Sequence, residues 1–198
     1  MTLADCFAFL IRQWRDEIVV TSAGNASEMW WHLTRETDRV FYLDASMSLA
    51  SMFASGIAVG LPAHTVWAFS GDGAFCMNPG MLMVERQMAL PNLKHFLVSN
   101  RTYGSTHDVA LSNAADNDYV QIARGMGLSR VFAFDNMNAL ATGFEAAVRS
   151  PGHAFVVLEV EALGHTMPAP PMDGPELKFR FGRHLERIGG IRIFDSLD

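Results

Sequence analysis

The sequence predicts an α/β domain built on a doubly wound parallel sheet. Three observations carry that expectation. Six short apolar runs, at residues 17–20, 40–43, 66–70, 96–98, 131–134 and 153–160, alternate with segments of helical spacing. Two of those runs end at once in small polar residues, Gly71-Asp72-Gly73 and Ser99-Asn100, at the strand edge where open α/β sheets bind ligands. A chain of 198 residues that is 49% apolar has enough side chain for one full core.

The elements follow in order. In residues 3–15, Leu3, Phe7, Leu10, Ile11 and Trp14 share one helical face. Glu17 to Val20 is a short β-branched strand, Thr21 to Asn25 a turn, and Ala26 to Thr34 a helix. Gly24 and Asn25 stand in that turn, Asn25 either as a ligand contact or as an ordinary N-cap. Val40 to Leu43 is a strand, followed by Asp44-Ala45-Ser46-Met47-Ser48 and a small-residue helix from about Leu49 to Leu61. Its Ala, Ser and Gly side chains permit close packing beneath a ligand or at a subunit contact. Val66 to Ser70 and Phe96 to Val98 are strands joined by a helix over about Asn78 to Leu90, which makes them parallel neighbours. Asp116 to Gly127 is a helix, Val131 to Phe134 a strand, Met137 to Arg149 a helix, and His153 to Val160 the last strand. The Pro-rich run Met167 to Pro175 divides a domain, 1–165, from an arm, 166–198, that carries a basic helix, Pro175 to Arg187. Phe179, Phe181 and Phe194 would be costly in water, so the arm is expected to lie on the domain or on a partner.

The chemistry of the edge can be read directly. Two glycines let the backbone approach a ligand closely. The N–H groups of Gly73 and Ala74 can point at an anion. A carboxylate repels such an anion unless a cation lies between them. Asp72 and the amide oxygen of Asn100 are hard donors of the kind Mg²⁺ takes. The pattern therefore reads as a Mg²⁺–diphosphate site, against the plainer alternative of a common Gly-Asp-Gly turn.

Gly71-Asp72-Gly73, then 26 residues (74–99), then Asn100 and Tyr103-Gly104, resembles the thiamine-diphosphate signature. The stretches GDGAFCMNPG and SNRTYGST are similar to the beta subunits of the sulfopyruvate and phosphonopyruvate decarboxylases. The resemblance implies the thiamine-diphosphate-binding fold, diphosphate-binding domain only. It places Mg²⁺ on Asp72, Asn100 and the Thr102 carbonyl. It sets Gly24, Asn25, Gly71, Gly73, Ala74, Tyr103, Gly104 and Ser105 around the cofactor. Met47 takes the place of the wedge that bends the cofactor, with Ser46 beside it, and the Ala45 carbonyl would accept from the cofactor's amino group. The departures are Ser99 for the first Asn of the usual pair, Ala45 and Ser48 for glycines, and His107-Asp108 where the family typically continues Tyr-Gly-Ser-Thr into Gly-Gly-Gln. His107 is either a proton carrier, oriented by Asp108, or a solvent-facing loop residue. Ser105 and Thr106 are candidates to hydrogen-bond substrate.

The same resemblance implies half an active site. In such enzymes a second domain supplies a glutamate to the cofactor's pyrimidine, and in this family that domain is a separate alpha subunit. The expectation is a beta subunit, inactive alone, of a thiamine-diphosphate-dependent decarboxylase acting on a small anionic 2-oxo acid in an α₂β₂ assembly or a multiple of it. The alternatives are a carboligase subunit of the acetolactate synthase type and a non-catalytic assembly module.

Composition narrows the rest. A net charge of −6 with no basic cluster argues against nucleic acid or an anionic membrane as partner. Cys6 and Cys76 belong to no paired motif, which suits a reduced, cytoplasmic chain. The N-terminal residues do not read as a secretory signal, and no apolar run is long enough to span a bilayer. His32, His64, His95, His153, His165 and His184 are scattered and read as surface or capping residues. No GxSxG, Walker lysine or GxGxxG occurs.

Overall fold

Six parallel strands run in the order β2-β1-β3-β4-β8-β7. They are β1 (Ile18–Ser22), β2 (Val40–Leu43), β3 (Val66–Gly71), β4 (Leu93–Ser99), β7 (Val131–Phe134) and β8 (Ala154–Glu159). The computed structural model describes residues 1–43, 46–164 and 167–194. The helices are α1 (Leu3–Gln13), α2 (Asn25–Thr34), α3 (Ala50–Gly60), α4 (Asp72–Met77), α5 (Met81–Met88), α6 (Tyr119–Gly125), α7 (Met137–Phe144) and α8 (Gly174–Gly189). A two-residue hairpin pairs β5 (Thr102–Tyr103) with β6 (Val109–Ala110).

Alternation along the strands sorts the core onto two faces. Val19, Trp67, Phe69, Phe96, Val156 and Leu158 pack with α1, α2 and α7. Ile18, Val20, Val66 and Ala68 face α3 and α8, while Leu97, Phe155 and Val157 face α5 and α6. Helices on both faces make the sheet doubly wound, as the alternation predicted. The chain reverses direction across the sheet between β1 and β3, so the loops after those strands diverge and leave a crevice at their carboxyl ends. From the arm, Phe181 and Leu185 of α8 bury against the α3 side of the sheet.

Several boundaries differ from the sequence expectation. β1 continues through Thr21 and Ser22, read above as a turn, because parallel pairing with Tyr42 and Leu43 extends it. The helix expected over Asn78–Leu90 is α5, which starts only at Met81, and a further short helix, α4, precedes it over Asp72–Met77, read above as loop. Asn78 leaves helical geometry at φ −154°, and Pro79-Gly80 begins the next turn. α6 starts at Tyr119, where Asp118 caps it by accepting from the Gln121 N–H at 2.9 Å. α7 stops at Phe144, and residues 145–149 form a π-type turn.

His95 and His153 are corrected most. His95 is fully buried in β4. Its Nδ1 lies 3.0 Å from Glu85 Oε1 and its Nε2 lies 3.0 Å from Ser70 Oγ, while His153 Nε2 is 2.9 Å from Glu85 Oε2. Burial works against the charge of Glu85, but His95 and His153 outweigh it and hold the carboxyl at about 2. Lys94, also buried, donates to the carbonyls of Pro91, Ser150 and Gly152. His184 is buried on α8 rather than on the surface.

Candidate metal and diphosphate site

Parallel pairing sets Gly71 opposite Val98, so the residues that follow each strand, Asp72 and Asn100, emerge at one edge of the sheet. They line an open cleft with about 580 Å³ of free volume. Three loops build it. Gly24 and Asn25 come from the turn after β1, Gly71 to Ala74 from the turn after β3, and Asn100 and Thr102 to Ser105 from the segment after β4. Met47 lines it from the link before α3 and is half exposed, at 49%. Ser46 does not line it, and Ala45 lies outside the described residues. Leu3, Met77, Val98 and Val160 add apolar wall that the sequence did not single out.

Asp72 is 1% exposed. Its Oδ1 accepts from the Gly73 N–H at 2.9 Å and its Oδ2 from the Arg101 N–H at 2.7 Å. Burial pushes its carboxyl up to about 6 against the pull of those two N–H groups. The Gly73 N–H, expected to face an anion, is thus turned to the carboxylate beside it. Asn100 Oδ1 accepts from the Thr102 N–H at 3.0 Å.

Other polar atoms at this edge are buried without a partner. Both amide atoms of Asn25 are so placed, while the Ser99 hydroxyl lies by Asp72 and favours its charge. The first turn of α2 opens on the cleft behind Gly24 (φ +94°) and has no side-chain cap. Gly73 and Gly104 are small because of what they touch. A Cβ on Gly73 would come within 2.8 Å of the Tyr103 ring, and one on Gly104 would run into the Asn25 amide.

A buried, charge-reluctant carboxylate is stabilised by a cation, and unpartnered donors by an anion. The residues present therefore fit a cation with an anionic ligand. Among the described residues no group of three His, Cys, Asp or Glu side chains is placed to hold a metal. A cation at this edge would rest on one carboxylate, one amide oxygen and backbone oxygen, the donor set that hard divalent ions accept.

The segment from 101 to 110 holds the least expected geometry. Arg101 (φ +63°) turns its guanidinium away from the cleft, to Glu159 at 2.5 and 3.2 Å and to the Asn117 and Ala114 carbonyls at 2.5 and 3.1 Å. The ring of Tyr119 lies 4.9 Å from it. This clasp was not anticipated, because its partners are scattered along the sequence. His107 (φ +59°) and Asp108 (φ +55°) are both left-handed, the conformation glycine adopts freely. Ser48 (φ +72°) is likewise left-handed. These are three positions where the resembled family carries glycine. His107 is exposed and does not line the cleft. Asp108 does not orient it: its carboxylate accepts from Thr102 Oγ1 and from the Gly164 N–H, each at 2.8 Å.

Residues 22–160 match the family model of the thiamine pyrophosphate enzyme, C-terminal TPP binding domain. The chain is 29% identical over 166 residues to the sulfopyruvate decarboxylase subunit beta of Methanothermobacter thermautotrophicus, covering 84% of this chain and 85% of that one. It is 30% identical over 115 residues to the subunit of the same name from Methanocaldococcus jannaschii, covering 58% and 60%. Against a sulfopyruvate decarboxylase of Methanosarcina acetivorans it is 29% identical over 186 residues, which cover 92% of this chain but 46% of the relative. A solved Mycobacterium smegmatis structure, described as a thiamin diphosphate-dependent enzyme, shares the fold with a TM-score of 0.67 at 21% identity, over 81% of this chain and 32% of that chain.

Proposed function

This chain belongs to the thiamine pyrophosphate enzymes, as their C-terminal TPP-binding domain, and from that premise we propose that it is the beta subunit of a thiamine-diphosphate-dependent 2-oxo acid decarboxylase of the sulfopyruvate type. The observation that carries the reading is the buried Asp72 carboxylate beside Asn100 at adjoining strand ends, in a cleft whose Asn25 amide has no partner.

In this reading Mg²⁺ is held by Asp72, by the Asn100 side-chain oxygen and by the Thr102 carbonyl. Each Asp72 oxygen that now accepts a backbone N–H keeps a second lone pair for a cation. Asn25 donates to the diphosphate, and Gly71, Gly73, Ala74 and Gly104 let it approach. Met47 supports the ring end, with the Ala45 carbonyl and Ser46 beside it. Bound there, the cofactor supplies the electron sink that loss of CO₂ from a 2-oxo acid requires. His107, at the exposed tip of the β5–β6 hairpin, carries a proton in the assembled site, and Ser105 orients substrate.

A partner completes the site. Two relatives are named as beta subunits. A third, of which this chain matches under half, has length for a second domain. The partner proposed is an alpha subunit carrying the pyrimidine-binding glutamate, and the substrate a small anionic 2-oxo acid, with nucleic acid and membrane excluded. Among the described residues no helix is long and apolar enough to cross a membrane. Cys6 is free and buried, its thiol pushed up to about 12 by burial, which suits a cytoplasmic chain.

The test is calorimetry of thiamine diphosphate binding to the complex with its partner, with and without Mg²⁺. Asp72→Ala is expected to abolish the Mg²⁺-dependent component. Unchanged affinity would refute the metal assignment.

A further inference from the structure

We propose that Asp108 is a positioning residue that straps the Thr102 segment to the chain leaving β8 and so fixes the oxygen Thr102 offers to a cation. The inference rests on the metal reading above, but the strap itself is a matter of geometry.

Thr102 sits in a hairpin of two residue pairs, Thr102 with Ala110 and Tyr103 with Val109. A ladder that short does not hold itself rigid in water. The Asp108 carboxylate supplies what the ladder lacks. Oδ1 accepts from Thr102 Oγ1 across the hairpin, and Oδ2 accepts from the N–H of Gly164, five residues beyond the end of β8. One side chain therefore joins Thr102, which lines the cleft, to the chain leaving β8, whose Val160 lines it four residues before Gly164. A carboxylate can take both bonds at once because it has an acceptor on each oxygen. Its backbone is left-handed, a conformation that Asp tolerates better than most side chains through local hydrogen bonding. Asp108 thus accepts an uncommon backbone shape and offsets it with two bonds that no glycine could make.

Groups that hold a metal's ligands in place without touching the metal commonly change its affinity by about 10–100-fold when removed. Asp108 acts one bond further out, through the Thr102 side chain, so the lower end of that range applies.

The experiment compares Asp108→Gly, Asp108→Asn and Thr102→Val with the parent. Hydrogen exchange at the Gly164 amide is read on the chain alone, and half-saturation by Mg²⁺ at saturating thiamine diphosphate on the complex with its partner. Glycine keeps the backbone shape and removes both bonds, so it is the decisive variant. Expected are faster exchange at Gly164 and about tenfold weaker Mg²⁺ in Asp108→Gly. Asp108→Asn, which keeps one acceptor, should fall between. Thr102→Val should weaken Mg²⁺ while leaving Gly164 protected. Parent-like Mg²⁺ half-saturation in Asp108→Gly would overturn the proposal and leave the cofactor reading standing, as would an equal loss of thermal stability with no change in the Mg²⁺ midpoint. A parent complex that binds thiamine diphosphate without regard to Mg²⁺ would instead remove the metal reading and this proposal with it, and the exchange at Gly164 would show whether the strap exists.

Discussion

Glu85 and Asp72 are both buried carboxylates, one under the middle of the sheet and the other at its carboxyl edge. Around Glu85 the polar atoms are matched: two histidines close on its oxygens, and Ser70 takes the other side of His95. Around Asp72 they are not, since neither amide atom of Asn25, in the same cleft, has a partner. The two acids shift in opposite directions accordingly, Glu85 down to about 2 and Asp72 up to about 6. Backbone strain follows the same division. Of seven non-glycine residues with positive φ among those described, Ser48 follows the cleft-lining Met47, and Arg101, His107 and Asp108 belong to the segment after β4 that supplies Asn100 and Thr102 to Ser105. Matched polar groups hold a fold together, whereas unmatched ones with local strain mark a place kept for something else.

The comparison predicts opposite signs for removing the two charges. Glu85→Ala leaves two histidines buried without their acid, and breaking a buried pair of this kind costs about 3–5 kcal/mol, measurable by urea denaturation. The wild type should show the same dependence on pH. A carboxyl held below its unfolded value contributes stability that is complete above about 4.5 and is lost as the pH falls toward 2. A denaturation midpoint that is flat across that window would break the contrast. Asp72→Asn should stabilise the cofactor-free chain by roughly 1 kcal/mol at pH 7, because the fold no longer holds a charge that burial disfavours. The gain is less than the shift alone implies, since the amide can accept from only one of the two N–H groups. A destabilised Asp72→Asn chain would show that the acid is structural like Glu85. The smallest effect is expected at Ser48, where glycine relieves a left-handed serine at some cost in unfolded-state entropy, for a net gain of about 0.5 kcal/mol by thermal unfolding.

How much could be read beforehand divides along similar lines. Strand ends were legible because Gly71-Asp72-Gly73 and Ser99-Asn100 cut off apolar runs sharply; two of the site's three loops followed from placing those ends together, and the third, Gly24-Asn25, came from the family resemblance. β4 was read short because Lys94 and His95 look like surface residues. Both are buried only because carbonyls, Glu85 and Ser70 meet them in three dimensions, and none of those partners is marked in the sequence. The start of α5 at Met81 was signalled by Pro79-Gly80 and outweighed by the helical run that follows. The β5–β6 hairpin is too short to carry any periodicity. The Arg101 clasp and the bonds Asp108 makes in place of orienting His107 escaped notice because they reach residues up to 58 positions away.

The Arg101 clasp has a bearing on traffic into the cleft. With its guanidinium folded outward onto Glu159, the one charged side chain among the described lining residues is the acid Asp72. With no basic side chain among the described residues lining the cleft to draw it in, a substrate bearing two negative groups, as in the function proposed above, would depend on the proposed divalent ion for its attraction. On the proposed function, loading of the complex is therefore expected to be sequential, ion and coenzyme ahead of the 2-oxo acid, and rapid mixing in the reverse order should show a lag.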